Sequence, residues 1–293
     1  MLDEEIENFK QNTRIIHTIT EKIEKTEELV NSNSKNTIGT GVFNVYISGI
    51  DTSGKISNVS RSDANILVTV NTRTHEVLLT SIPRDYYVTL HSKKAKDKLT
   101  HSGVYGINET VTTVEDLLDT EINYYVRVNF TTVIKLVDTL GGVNVNSDYS
   151  FYGQGYYFKK GDNYLNGEQA LAFSRERYSF RDGDNQRVKN QQKVIEAIIN
   201  KIMDSKTILT KYTSILNSLE GSFQTNIKQD EISKLVREQL NNMSSWKIIN
   251  NSLSGYDAHK PTYSYGSEEL YVMIPKEESV QEAKDKIEEV MEK

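Results

Sequence analysis

Residues 124–145 read YYVRVNFTTVIKLVDTLGGVNV and carry strand, helix and strand without interruption. The run 124–130 is β-branched and aromatic, which suits a pleated surface. Thr131 caps a helical run that extends to Leu140, and Gly141-Gly142 ends it. Residues 142–145 form the next short strand. Strands that alternate with helices predict an α/β sheet covered by helices on both faces.

The alternation continues in both directions. Upstream, 42–50 reads as a strand, with Phe43, Val45 and Ile47 on one face and Val42, Tyr46 and Ile50 on the other. Residues 65–71 and 76–82 are apolar runs joined by Thr72-Arg73-Thr74-His75, the pattern of a hairpin. A helix at 108–119 carries Val111, Val114, Leu117 and Leu118. Downstream, a helix over 185–203 presents Val188, Ile195, Ile198, Ile199 and Ile202. Further helices fit 207–219 and 230–243, and 246–253 reads as a strand. Pro275 precedes a charged final helix whose Val280, Ala283, Ile287 and Val290 face inward. At the other end, 3–30 reads as a helix with one apolar seam (Ile6, Phe9, Ile16, Ile23, Val30), followed by an Asn/Ser-rich linker at 31–37. The expected organisation is a helix and linker over 1–37, then one α/β domain over 38–293 built on a central mixed sheet.

Composition limits the function. The 293 residues are 37% hydrophobic and 26% charged, too apolar for a disordered chain. A net charge of −6 argues against electrostatic binding of nucleic acid. With no cysteine, thiol nucleophiles, disulfides and Cys-ligated metals are excluded. No run approaches 18 apolar residues, and Met1-Leu2-Asp3-Glu4-Glu5 is acidic where a signal peptide is basic. The five histidines show no metal-binding spacing. The seventeen tyrosines suit core and interface packing or a sugar-stacking surface, with packing the default.

Two segments carry chemistry. Arg175, Arg177, Arg181 and Arg187 fall within thirteen residues. With Arg175 and Arg177 at a strand end, the period of two puts both on one face. With Asp184 as N-cap, Arg187 lies in the first turn of a helix and shares a face with Gln191. A cation there opposes the helix dipole unless an anion lies between them. Guanidinium forks bind phosphate oxygens bidentately, and three of them suit a diphosphate. The competing reading is an exposed strand end paired with Glu176, Asp182 and Asp184. In the other segment, Asp51 ends a strand and Asp63 precedes the next. Together they suit one hard cation such as Mg²⁺, although both also sit in good turn sequences. Arg84 is a fourth guanidinium or a partner for Asp85.

These residues resemble the LytR-CpsA-Psr family of bacterial cell-envelope proteins. The resemblance is carried by Gly49-Ile50-Asp51, Arg61-Ser62-Asp63, Ser81-Ile82-Pro83-Arg84-Asp85 and Asp97-Lys98-Leu99-Thr100-His101. It continues in Gly141-Gly142-Val143, in Leu171-Ala172-Phe173-Ser174-Arg175 with Arg177, and in the stretch from Asp184 to Gln192. It implies a phosphotransferase that binds polyprenyl-diphosphate-linked glycans and attaches a glycopolymer, such as capsule or teichoic acid, to peptidoglycan, releasing polyprenyl phosphate. It implies Mg²⁺ at Asp51 and Asp63. Arg84, Arg175, Arg177, Arg187 and Gln191 take the diphosphate-binding positions, with Lys98 in a family-like segment; the four arginines would supply the catalytic charge. It also implies an apolar pocket beside the sheet for the lipid tail, a membrane helix preceding the chain and a place on the outer face of the membrane. Asn190 departs from the family, where a further Arg is common. The alternatives are a carrier-lipid binding module without turnover and a regulator of envelope gene expression.

Overall fold

The computed structural model describes residues 37–293 other than 57, 58, 182, 205, 206, 208–210, 212, 213, 216, 220 and 243. The helix expected at 3–30 and nearly all of the linker at 31–37 lie outside the described residues.

The chain begins with a meander of three long antiparallel strands, β1 (Val42–Ile50), β2 (Ser62–Asn71) and β3 (Glu76–Ile82), the last buried at every position. A small ribbon, β4 (Tyr87–Thr89) and β5 (Lys96–Lys98), leads into a one-turn helix α1 (Leu99–Ser102) and then α2 (Ile107–Leu118). β6 (Tyr124–Val128) returns parallel to β1. It is followed by α3 (Phe130–Leu140) and β7 (Val143–Ser147). A short hairpin, β8 (Phe151–Gly153) with β9 (Tyr156–Phe158), precedes β10 (Gly161–Leu165), α4 (Gly167–Arg175) and the long α5 (Asp184–Met203). β11 (Phe223–Thr225), α6 (Gln229–Asn242) and β12 (Lys247–Ser252) complete the sheet. An outlying hairpin, β13 (Gly255–Thr262) with β14 (Gly266–Pro275), precedes the last helix, α7 (Glu277–Glu292).

The main sheet runs β11-β6-β1-β2-β3-β12 and is mixed. β1, β3, β6 and β12 point one way, while β2 and β11 point the other. One face packs Tyr46, Leu67 and Leu78 against Val114 and Leu118 of α2 and Ala283, Ile287 and Val290 of α7. The opposite face packs Ile66, Val68, Val77 and Leu79 against Ile195 and Ile199 of α5. Helices therefore cover both faces, as the alternating pattern predicts.

The stretch 124–145 departs from expectation in two respects. The cap of α3 is Asn129, whose side chain accepts from the Thr132 amide, so the helix starts one residue earlier. β7 leaves the main sheet and pairs with β10, because Gly141 and Gly142, at φ 82° and 96°, turn the chain away. Its residues alternate buried and exposed, as a ribbon with one covered face requires. α3 does not join the apolar layers on β2 and β3. It joins a separate core in which Val137 and Leu140 meet Phe151, Phe158, Phe173 and Val194.

Candidate functional site

The four co-directional strands deliver their carboxyl ends to one edge of the sheet, the usual place for a ligand in such folds. Asp51 follows β1. Gly49 pairs with Ala64 and Ile50 with Ser62, so Asp63 is the extra, unpaired residue of a β-bulge. Bulges re-aim side chains, and this one turns Asp63 toward Arg84, beyond the end of β3. The strands come so close here that a Cβ on Gly49 would lie 2.9 Å from that of Ala64.

Around this edge the charged groups interlock. Arg84 Nη1 donates to Asp63 Oδ1 at 2.6 Å, and its Nε lies 3.5 Å from Asp85 Oδ2. Lys98 Nζ reaches Asp85 Oδ1 at 2.9 Å. From the first turn of α5, Arg187 Nη2 meets Asp184 Oδ1 at 2.5 Å. Burial works against the Arg84 charge, but Asp63, Asp85 and, more distantly, Asp184 outweigh it and raise its pKa. Asp184 thus ties the Arg187 pair to the Arg84 pair. The side chain of Arg187 is only 13% exposed, and its Nε is buried with no hydrogen-bond partner among the described residues. A buried donor left unmade costs about 1–3 kcal/mol, more when charged.

Arg175 stands apart from this network. It is the last residue of helix α4, not part of a strand end, so no period of two aligns it with Arg177. The helix extends this far because Asn166 and Gln169 form a capping box at its start, a signal visible in Asn166-Gly167-Glu168-Gln169. Arg175 Nη2 lies 3.7 Å from Asp51 Oδ1, and its guanidinium sits 4.1 Å over the Phe130 ring. Arg177 lies over the exposed ring of Tyr178 at 4.6 Å. Gln191 is half-buried on α5 and makes no side-chain hydrogen bond among the described residues. Asp184 is the first residue of α5, and Gly183 occupies the cap position.

Further residues at this edge escaped the sequence reading. Tyr271 of β14 stands over Lys98, with Nζ 5.9 Å from its ring centre. Burial raises its pKa, and Asp257, Asp85 and Asp184 add to the shift. Arg127 is 1% exposed on β6, and its Nη2 donates to the Ser60 carbonyl at 3.0 Å, bracing the loop between the two aspartates. The one charge in Tyr124-Tyr125-Val126-Arg127-Val128 was a visible cue. Asp97 is fully buried. It accepts from His101 Nδ1 at 2.6 Å, from the Lys98 amide at 2.7 Å, and from both the amide and hydroxyl of Ser264. Burial alone would raise its pKa, but those bonds carry it below the ordinary value.

Asp51 and Asp63 offer oxygen donors only, on adjoining strand ends. No group of three or more His, Cys, Asp or Glu is arranged to hold a metal ion by itself among the described residues. That donor set fits a hard cation that takes the rest of its shell from phosphate oxygens and water. No helix among the described residues is long and apolar enough to cross a membrane.

A protein-family model, LytR_cpsA_psr, matches residues 6–288. The Bacillus subtilis protein named polyisoprenyl-teichoic acid–peptidoglycan teichoic acid transferase TagU is 38% identical over 218 residues, covering 74% of this chain and 69% of that one. The Bacillus licheniformis protein of the same name is 39% identical over 191 residues, 65% of this chain, and the chain spans 61% of that relative's length. Among solved structures, TagT bound to LI-WTA has a TM-score of 0.70 at 27% identity, covering 90% of this chain and 96% of that one. The motifs, the fold and these matches agree: the chain belongs to the LytR-CpsA-Psr family.

Proposed function

We propose that this chain is a phosphotransferase of the bacterial cell envelope that moves a glycopolymer from a polyprenyl diphosphate to peptidoglycan. The names of its relatives support the reaction class. The observation that carries the reading is the buried Arg187 Nε, which has no acceptor among the described residues and lies beside a cluster of paired charges. A diphosphate supplies the missing acceptor and exchanges for Asp184, Asp63 and Asp85 as partner of the cations.

In the reaction, a peptidoglycan hydroxyl attacks the phosphorus bonded to the glycan. The bond from that phosphorus to the bridging oxygen breaks, the hydroxyl proton passes to solvent water, and polyprenyl phosphate leaves. Arg84, Arg187 and Lys98 neutralise charge on the diphosphate as it develops. Arg175, beside Asp51, together with Arg177 and Gln191, contacts the substrate from its flank. Asp51 and Asp63 would hold Mg²⁺, which when bound would supply further positive charge to the phosphates. The tail lies in the apolar layer between the sheet and α2, whose margin includes the half-buried Ile107, Val111 and Leu117. The site of action is the outer face of the membrane, where donor and acceptor meet.

The test is incubation of the protein with a synthetic polyprenyl-diphosphate glycan, peptidoglycan and Mg²⁺. The expected products are polyprenyl monophosphate, detected by mass spectrometry, and phosphate-linked glycan on peptidoglycan. Tight donor binding with no monophosphate released would overturn the reading in favour of a lipid-binding module.

A further inference from the structure

The β8–β9 hairpin has two unlike faces. Its inner residues, Phe151 and Phe158, stack 4.9 Å apart and meet Phe173 in the core. Its outer residues, Tyr152 and Tyr157, are a cross-strand pair with ring centroids 5.0 Å apart. They are 67% and 57% exposed, so the fold does not use their rings. Tyr178, 84% exposed, stands on the segment that follows α4.

That segment joins the hairpin to the arginines. Ser179 Oγ donates to the Tyr152 carbonyl at 2.8 Å, two residues beyond Arg177. Gly153 sits against Glu176, where a Cβ would lie 3.2 Å from the Glu176 Cβ. The tyrosine pair is therefore anchored to the stretch that carries Arg175 and Arg177. The stretch just after the hairpin carries Lys159 and Lys160, and the end of α4 with the segment after it carries Arg175, Arg177 and Arg181, interspersed with acidic residues.

We infer that Tyr152, Tyr157 and Tyr178 form a carbohydrate-stacking platform for the acceptor, the glycan strand of peptidoglycan. The inference rests on the reading given under Proposed function and adds the place where the acceptor lies. Tyrosine presents a rigid apolar face with a wet edge, which suits the C–H face of a pyranose ring and its flanking hydroxyls. An open two-stranded ridge admits a long polymer that a closed pocket would exclude. Its continuity with Arg177 brings the strand's hydroxyls toward the phosphates. Lys159, Lys160 and Arg181 suit the carboxylates that peptidoglycan carries on its peptides.

The test measures binding of purified glycan strands, stripped of peptides, to the full chain with no lipid donor present. Tyr152→Ser with Tyr157→Ser is expected to weaken strand binding about tenfold or more, the usual effect of truncating aromatic anchors. Tyr152→Phe with Tyr157→Phe keeps the rings and is expected to retain most of the affinity. Circular dichroism confirms that Phe151 and Phe158 still hold the hairpin. Unchanged strand affinity in the serine variant would overturn the proposal. So would a loss confined to anionic phospholipid vesicles, which marks a membrane surface, or to self-association in sedimentation, which marks a dimer contact. Strand binding is read without turnover, so this result and the transfer assay can fail independently.

Discussion

Replacing Arg187 with alanine separates a role in the ligand site from a role in the fold. In the free protein the residue's one ion-pair partner among the described residues is Asp184, whose side chain is 43% exposed and returns to water when the arginine is removed. Losing the pair costs at most about 1 kcal/mol, and the unmet buried Nε is removed with it, so the net change in Tm stays within roughly 2–4 °C for a chain of this size. In the complex, Nε and a terminal nitrogen each donate to a charged phosphate oxygen. At about 1.5 kcal/mol each, the low end for charged hydrogen bonds, the loss is about 3 kcal/mol, roughly a hundredfold in kcat/KM. Arg187→Lys keeps a charge but loses the planar fork, and it should recover about tenfold of that loss. The assay is release of polyprenyl monophosphate from a synthetic donor, paired with thermal unfolding. A kcat/KM within threefold of wild type in Arg187→Ala would refute the assignment. So would a collapse in Tm that accounts for the lost activity.

Other outcomes follow from particular contacts. Asp97→Ala leaves His101 Nδ1, the Lys98 amide and Ser264 without their shared buried acceptor and should cost about 2–4 kcal/mol in urea unfolding. Because the folded pKa of Asp97 is depressed, its contribution is present above the ordinary carboxylate value near 3.8 and is lost as pH falls through the lower folded value. Acid unfolding of the Asp97→Ala variant should accordingly lack that component, and an unchanged acid limb would contradict the assignment. The double variant Asp51→Ala, Asp63→Ala should lose Mg²⁺ affinity measured by calorimetry with diphosphate lipid present; equal affinity would remove both residues from the metal site. Gly49→Val would drive side-chain atoms into Ala64 and should destabilise the protein by about 1–3 kcal/mol while displacing the Asp63 bulge. Full transfer activity in that variant would show that the bulge does not position Asp63.

The sheet was legible because its strands are long and apolar. The bounds of β1, β3 and α5 follow the runs that Val42, Glu76 and Asn185 open, to within a residue. The final helix buries Ala283, Ile287 and Val290 as its period requires. Charge clustering singled out Arg187, and strand-end position singled out Arg84 and the two aspartates as candidates. Local conformation was the weaker guide. Arg175 and Arg177 look like a strand end because they are two apart, yet the Asn166 box had already committed the chain to helix. Val143 and Val145 look like a sheet strand, but the polar Asn144 and Asn146 between them mark a ribbon with one wet face. The bulge at Asp63 depends on the register of β1 against β2, which no local pattern encodes. Tyr271 reaches the edge from 173 residues beyond Lys98, across a hairpin whose position only the whole chain determines.

The pairing of β12 with β3 has a consequence for how the molecule is made. Lys247 lies opposite Glu76, and Lys293, the final residue, closes an ion pair with the same Glu76 at 3.1 Å. Until residues 247–252 have been synthesised, β3, buried at all seven positions in the finished fold, is an open apolar edge. Such long-range pairing is slow, and an unprotected edge of this kind invites association between unfinished chains. A chain ended before Trp246 should therefore be recovered as aggregate, and a soluble monomer with native circular dichroism would count against that. A sheet whose strand β3 is covered only when β12 arrives, 165 residues after Ile82, stays open through most of the folding of the segments between them.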